Sequence, residues 1–185
     1  MDFDIDAVLE VVASQCPQAG VAFIMIGGHA VNHYGVIRAT QDIDFMVAAT
    51  DSETVRQIMR DAGFVNIAEH ESVIFFNRPD SPLRVDFLKV DRETMNKLME
   101  HAVEVEYAAS QHVWVPQLRD LLAMKLFALT AGGEKRKFKD FGDIVHLVIE
   151  NGIDVETELY GLCCEYGTAA IFAELRERIE VLRHA

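Results

Sequence analysis

Three aspartates occupy two short apolar segments of this chain. Asp42 and Asp44 flank Ile43 in a segment of β-type residues, and Asp86 lies between a valine and a phenylalanine further along. Because side chains alternate along a strand, Asp42 and Asp44 would project from one face while Ile43 faces the core. Two carboxylates on one face are the hard oxygen donors that a divalent cation such as Mg²⁺ prefers.

The three carboxylates would converge if the two segments formed neighbouring strands. Close carboxylates disfavour joint ionisation unless cations neutralise them, so convergence of Asp42, Asp44 and Asp86 predicts bound metal. A second interpretation stays open, in which each aspartate ends a strand or pairs with Arg38 or Arg84.

A pair of glycines precedes these acids. Gly27 and Gly28 follow the apolar segment 22–26 and lead into a helical stretch at 29–34. Glycines allow the backbone to approach a phosphate closely, and a helix start directs free N–H groups toward an anion. The alternative is a tight strand-to-helix turn without a ligand.

Several other residues are candidates for nucleotide contact. Arg38 and Thr40 would either bind the ligand or fix the loop that precedes Asp42. Lys125 lies beside the leucine stripe of a helical segment, where its ammonium would either reach water or contact a triphosphate in a cleft.

The net charge of −13 argues against extended, nonspecific nucleic-acid binding, although Lys135, Arg136, Lys137 and Lys139 form a local basic segment. This segment is either a nucleic-acid contact or a solvated helix start.

The alternation of patterns predicts an α/β (α+β) fold: a mixed β-sheet with flanking helices, followed by a helical C-terminal subdomain. We predict strands at 21–26, 43–47, 72–77 and 83–90, helices at 51–62 and 92–101, and extended chain around 103–115. From Pro116 the pattern becomes helical, so we divide the chain into a catalytic domain, 1–115, and a helical subdomain, 116–185.

The order of these motifs resembles a known superfamily. The matching residues are Ile26-Gly27-Gly28-His29-Ala30, then Gly35, Arg38, Thr40, Asp42-Ile43-Asp44 and Val85-Asp86-Phe87. They are similar to the polymerase-β-type nucleotidyltransferases, in particular the small bacterial branch that includes AbiEii-type toxins. Gly28 departs from the pattern, because many members carry Ser there, and a hydroxyl contact to the γ-phosphate would be missing.

This resemblance implies a metal-dependent enzyme with Mg²⁺ or Mn²⁺ as cofactor and an NTP as substrate. Asp42, Asp44 and Asp86 would be the catalytic metal ligands. The residues implied to bind the nucleotide are Gly27, Gly28, Arg38, Thr40, Lys125 and Lys139. The segment from Lys139 to Asp143 is similar to the Lys-Asp-X-X-Asp segment of AbiEii-like proteins, although acids near a helix start would give the same pattern.

Three classes of function stay open: a toxin that modifies RNA or protein, an enzyme that modifies a small molecule such as an antibiotic, and a nucleotide-binding module without turnover. Expected partners are the NTP, an undetermined acceptor, an antitoxin protein and a second copy of the chain.

The acidic N-terminus lacks the pattern of a signal peptide, no segment reaches transmembrane length, and three cysteines form no disulfide framework, so we expect a cytoplasmic protein without membrane contact.

Overall fold

A computed structural model of the chain describes residues 5–79, 81–107, 111–132 and 134–184, and for residues 66, 67 and 134–137 it describes the backbone only. Within these residues, no helix has the length and apolar character needed to span a membrane. Two compact units divide the chain. Unit 1 contains Met1–Ala30 and Ala39–Gln117, and unit 2 contains Val31–Arg38 and Leu118–Ala185. The second unit thus includes a short segment that the sequence-based division assigns to the first domain.

The first part of the chain alternates helices and strands. Its helices are α1 (Ile5–Gln18), α2 (Gly27–His33), α3 (Ser52–Asp61) and α4 (Arg92–His101). Its strands are β1 (Phe23–Ile26), β2 (Asp42–Ala48), β3 (Val65–His70), β4 (Val73–Asn77), β5 (Arg84–Val90), β6 (Val103–Tyr107) and β7 (Gln111–Val115). The remaining helices are α5 (Leu118–Ala131), α6 (Glu134–Glu150), α7 (Tyr160–Tyr166), preceded by a π-helical turn, and α8 (Ala169–Arg183).

The main sheet of unit 1 has five strands in the order β1-β2-β5-β4-β3. β2 and β5 are parallel, whereas the β1–β2, β4–β5 and β3–β4 pairs are antiparallel. A separate antiparallel hairpin joins β6 to β7. The predicted mixed sheet with flanking helices is therefore confirmed.

Hydrophobic burial fixes which face of this sheet is internal. Ile43 and Phe45 of β2 and Val85 and Phe87 of β5 are fully buried. They share one cluster with side chains of α1, α3 and β7. Because side chains alternate, the aspartates next to these residues, Asp42, Asp44 and Asp86, project from the opposite face of the sheet.

Unit 2 is helical after its first segment, as predicted. α5 packs against α6 and α7, and α8 packs against α6 and α7. Apolar side chains from these helices are buried, among them Leu122, Leu126, Leu147 and Leu175. Pro116 lies just before α5, which ends at Ala131.

Candidate active site

The strand register places the aspartates side by side. Asp44 on β2 is the register partner of Asp86 on β5, and Asp42 is the partner of Arg84. Neighbouring residues in register point to the same face, so β2 contributes two carboxylates and β5 contributes one. Asp86 is 7% exposed, while Asp42 and Asp44 are half-buried.

Gly27 lies directly against this cluster. It follows Ile26, the register partner of Asp44, and starts α2 with a φ of +65°. A Cβ atom at this position would lie 2.0 Å from Oδ2 of Asp44 and 2.6 Å from its Cγ. Glycine is therefore needed at position 27 for two reasons: the backbone is left-handed there, and a side chain would collide with the carboxylate of Asp44. The second reason was not visible in the sequence.

Arg84 provides the positive charge next to the aspartates. Its Nε donates to Oδ1 of Asp86 and its Nη2 donates to Oδ2 of Asp42, both at 2.8 Å. Its guanidinium also lies over the ring of Phe75, 5.3 Å from the centroid. The ion pairing with Arg84 that the sequence left open is thus present, whereas Arg38 pairs elsewhere.

The pKa of Asp86 is raised to about 6, above all by burial and also by the nearby carboxylates of Asp44 and Asp42, although Arg84 lowers it by hydrogen bonding and charge. The guanidinium of a single arginine therefore does not fully offset the cost of keeping this carboxylate ionised. The cluster favours additional positive charge.

The carboxylate oxygens of Asp42, Asp44 and Asp86 are of the chemical type that binds a divalent metal ion. Three carboxylates from adjacent strands supply hard oxygen ligands, and a guanidinium already binds two of them as a cation. In the described part of the chain, no group of three or more His, Cys, Asp or Glu side chains is already arranged to hold a metal ion. Metal binding would therefore require side chains to rearrange. Arg84 in particular would have to move, because it lies between Asp42 and Asp86.

The Thr40 side chain contacts the backbone of β2, whereas the backbone of Arg38 is bonded by the side chain of Asn32. The hydroxyl of Thr40 donates to the carbonyl of Asp42 at 3.2 Å. The amide side chain of Asn32 accepts from the backbone N–H of Arg38 and donates to its carbonyl, each at 3.1 Å. The Thr40 contact agrees with the interpretation that Thr40 fixes the loop, whereas the Arg38 side chain pairs with Asp143. Nucleotide contact by either side chain stays a prediction.

Lys125 lies in a buried ion cluster of unit 2. Its Nζ donates to Asp140 at 2.9 Å and to Asp143 at 2.6 Å, and Arg38 forms an ion pair with Asp143 at 3.2 Å. The Lys125 side chain is only 7% exposed, so the interpretation that its ammonium reaches water is wrong. Contact with a triphosphate stays a prediction.

Asp140 and Asp143 are not helix-start residues. Because α6 already begins at Glu134, both aspartates lie within the helix, and their burial reflects pairing with Lys125. The helix-start interpretation of this segment is therefore wrong.

Lys139 and Arg38 line one cavity of about 410 Å³ within unit 2. Ile37, Asp143, His146 and Glu150 also contribute to its wall. Lys139 is exposed. The side chains of Lys135, Arg136 and Lys137 lie outside the described residues, so the basic segment as a whole stays a prediction.

One buried contact near the glycine turn was not anticipated. Nδ1 of His29 lies 2.7 Å from the hydroxyl of Tyr107, and His29 is 4% exposed. This pair joins the start of α2 to the β6–β7 hairpin. The position of His29 directly after two glycines was visible in the sequence, but its partner is separated from it by 78 residues.

A protein-family model described as "Nucleotidyl transferase AbiEii toxin, Type IV TA system" matches residues 11–180. The chain belongs to the AbiEii nucleotidyltransferase family. It is a transferase of the nucleotidyltransferase class, as the order of its motifs predicted. No curated protein matches the chain.

Solved structures agree on the fold. The antibiotic-resistance factor ANT(2'')-Ia is 12% identical, with a TM-score of 0.62 over 100% of this chain and 97% of that chain. The lincosamide antibiotic adenylyltransferase LnuA is 16% identical, with a TM-score of 0.55 over 80% of this chain and 98% of that chain. A putative nucleotidyltransferase from Thermotoga maritima is 15% identical, with a TM-score of 0.51 over 72% and 91%.

Proposed function

We propose that this protein transfers a nucleoside monophosphate from an NTP to a hydroxyl acceptor, with divalent cations held by Asp42, Asp44 and Asp86. The observation that carries the proposal is the register of β2 and β5, in which Asp44 pairs with Asp86 and Asp42 lies on the same face. The bound Mg²⁺ or Mn²⁺ would neutralise charge on the attacking and departing oxygens.

The reaction is an in-line displacement at the α-phosphate. The acceptor oxygen forms a bond to the α-phosphorus, the bond from that phosphorus to the bridging oxygen breaks, and pyrophosphate leaves. The acceptor proton passes to a carboxylate, and we assign this role to Asp86, the carboxylate that β5 contributes to the cluster.

The two glycines and the cations are proposed to bind the nucleotide. Gly27 and Gly28 start α2 beside Asp44, where their backbone N–H groups would face the phosphates. Without a serine hydroxyl at Gly28, phosphate binding rests on the backbone. Arg38, Lys125 and Lys139 are proposed to supply positive charge to the phosphates. Lys125 would do so only if the nucleotide replaces one of its buried carboxylate partners.

A toxin role is supported by the family itself, whose description is that of the toxin of a type IV toxin–antitoxin system. We propose that the acceptor is an RNA or a protein and that an antitoxin protein is the cognate partner. The basic segment around Lys139 favours an acidic acceptor such as RNA.

A small-molecule acceptor is the second candidate. Two proteins with the same fold, ANT(2'')-Ia and LnuA, are described as an antibiotic-resistance factor and an antibiotic adenylyltransferase. The net charge of −13 would favour a cationic small acceptor, such as an aminoglycoside, over a nucleic acid.

The test is a transfer assay with each of the four NTPs, labelled either at the α- or the γ-phosphate, in the presence of Mg²⁺. Pools of RNA, protein and aminoglycosides serve as acceptors. We expect label transfer from the α-phosphate only, to one acceptor class, and no transfer by the Asp44→Asn variant. Transfer of γ-label, or equal activity in the variant, would contradict the proposal.

A further inference from the structure

The position of Arg84 has a consequence for metal binding. Arg84 and Asp86 are two residues apart on β5 and so share one face, and Asp42 is the register partner of Arg84 on β2. The strand pairing therefore fixes one guanidinium between two of the three aspartates, with bonds of 2.8 Å to each. The guanidinium holds the same oxygen atoms that a metal ion would need.

We propose that Arg84 is an internal counter-ion of the aspartate cluster, which the divalent cation displaces when it binds. This inference rests on the proposed function, because it takes Asp42, Asp44 and Asp86 as the metal ligands. Arginine keeps its charge at all accessible pH values, so it neutralises the carboxylates whenever the metal is absent.

The surroundings of Arg84 allow this exchange. Its side chain is 44% exposed, whereas that of Asp86 is 10% exposed, so the guanidinium is the more accessible member of the pair. The ring of Phe75 covers one face of the guanidinium and is the register neighbour of Asp86 on β4. Release of Arg84 thus requires the loss of two ion pairs and one cation–π contact, with no change in the strands.

Two effects of Arg84 on metal affinity have the same sign. The guanidinium competes with the metal for carboxylate lone pairs, and its positive charge repels the cation at short range. Removal of the charge should therefore tighten metal binding. It should also destabilise the metal-free protein, because three close carboxylates would lose their neutralising group.

The experiment measures Mn²⁺ binding by calorimetry and by electron paramagnetic resonance, without nucleotide. We expect the Kd of Arg84→Met to be at least tenfold lower than that of the wild type. The matched control is Arg56→Met, which also removes an arginine of unit 1 that bonds two carboxylates, those of Glu53 and Glu69. Its Kd should equal that of the wild type.

A milder variant keeps the test open if Arg84→Met fails to fold. Phe75→Leu retains every charge of the cluster and removes only the aromatic face, so we expect a smaller decrease in the Kd for Mn²⁺. Thermal unfolding of Arg84→Met without metal should occur below that of the wild type, and Mn²⁺ should close most of this gap.

The outcomes separate this inference from the proposed function. If Asp44→Asn loses Mn²⁺ binding while Arg84→Met and Phe75→Leu bind like the wild type, the role of Arg84 is refuted and the metal site stands. If Asp44→Asn binds Mn²⁺ as tightly as the wild type, the metal lies elsewhere and both proposals are refuted.

Discussion

Replacement of Asp86 by Asn should stabilise the metal-free protein at neutral pH. Asp86 has a pKa of about 6 in the folded chain, against about 4 in an unfolded one. Between these values the native state binds more protons than the unfolded state, so stability falls as the pH rises through this window. Above pH 6 Asp86 is ionised in both states, so the native state bears the full free-energy cost of the buried charge.

The size of this cost follows from the pKa shift. A rise of the pKa from about 4 to about 6 corresponds to about 3 kcal/mol. Asn has nearly the same shape without the charge, so Asp86→Asn should gain up to about 3 kcal/mol at pH 7.5. A domain of this size gains about 2–4 °C in Tm per kcal/mol. At pH 4, where native Asp86 is already protonated, the gain should nearly vanish.

The assay is urea and thermal unfolding in EDTA, followed by circular dichroism, at several values between pH 4 and 8. Glu10→Gln, at an exposed position on α1, serves as the control and should show no such pH-dependent gain. The reasoning is refuted if Asp86→Asn is no more stable than the wild type at pH 7.5, or if its gain is independent of pH.

Three further predictions concern the site and the ion cluster of unit 2. Gly27→Ala should lose more stability than Gly20→Ala, by about 1–3 kcal/mol in chemical denaturation, because both glycines have positive φ but only the Gly27 Cβ would meet Asp44. Equal losses would show that the carboxylate moves aside freely. Lys125→Met should cost about 3–5 kcal/mol of unfolding free energy, since two buried carboxylates lose their shared partner, and a near-neutral result would contradict the ion cluster. Mg²⁺ should raise the Tm of the wild type and NTP should raise it further, whereas Asp44→Asn should show no metal effect.

The elements that were predicted correctly carry strong local signals. β2 and β5 combine apolar alternation with β-branched residues, and both were located within one residue. α4 was predicted at its observed bounds, and its start has a local cause, because the Asp91 side chain accepts from the N–H of Thr94.

Two elements, β3 and α1, were missed, and only β3 has a weak signal. β3 lies at the sheet edge, exposes Val65, and has a register shift between Asn66 and Ala68, so it lacks the clean alternation of a half-buried strand. α1 was missed although its buried residues Val8, Leu9, Val12 and Cys16 have the spacing of one helix face.

The types of the site residues could be predicted, but their partners could not. Spacing alone puts Asp42 and Asp44 on one face, whereas the pairing of Asp44 with Asp86 depends on which strands are neighbours. The contact between Gly27 and Asp44 and the engagement of Lys125 by two buried aspartates likewise depend on tertiary packing. Such contacts join residues far apart in the chain and leave no local pattern.

The measurement that tests the metal site most directly is anomalous diffraction from crystals of the protein with Mn²⁺ and a non-hydrolysable NTP. We expect Mn²⁺ within about 2.5 Å of carboxylate oxygens of Asp42, Asp44 and Asp86, with Arg84 displaced from at least one of its two partners. Absence of Mn²⁺ at these three residues, with Arg84 still bridging Asp42 and Asp86 in the nucleotide complex, would contradict the proposed mechanism.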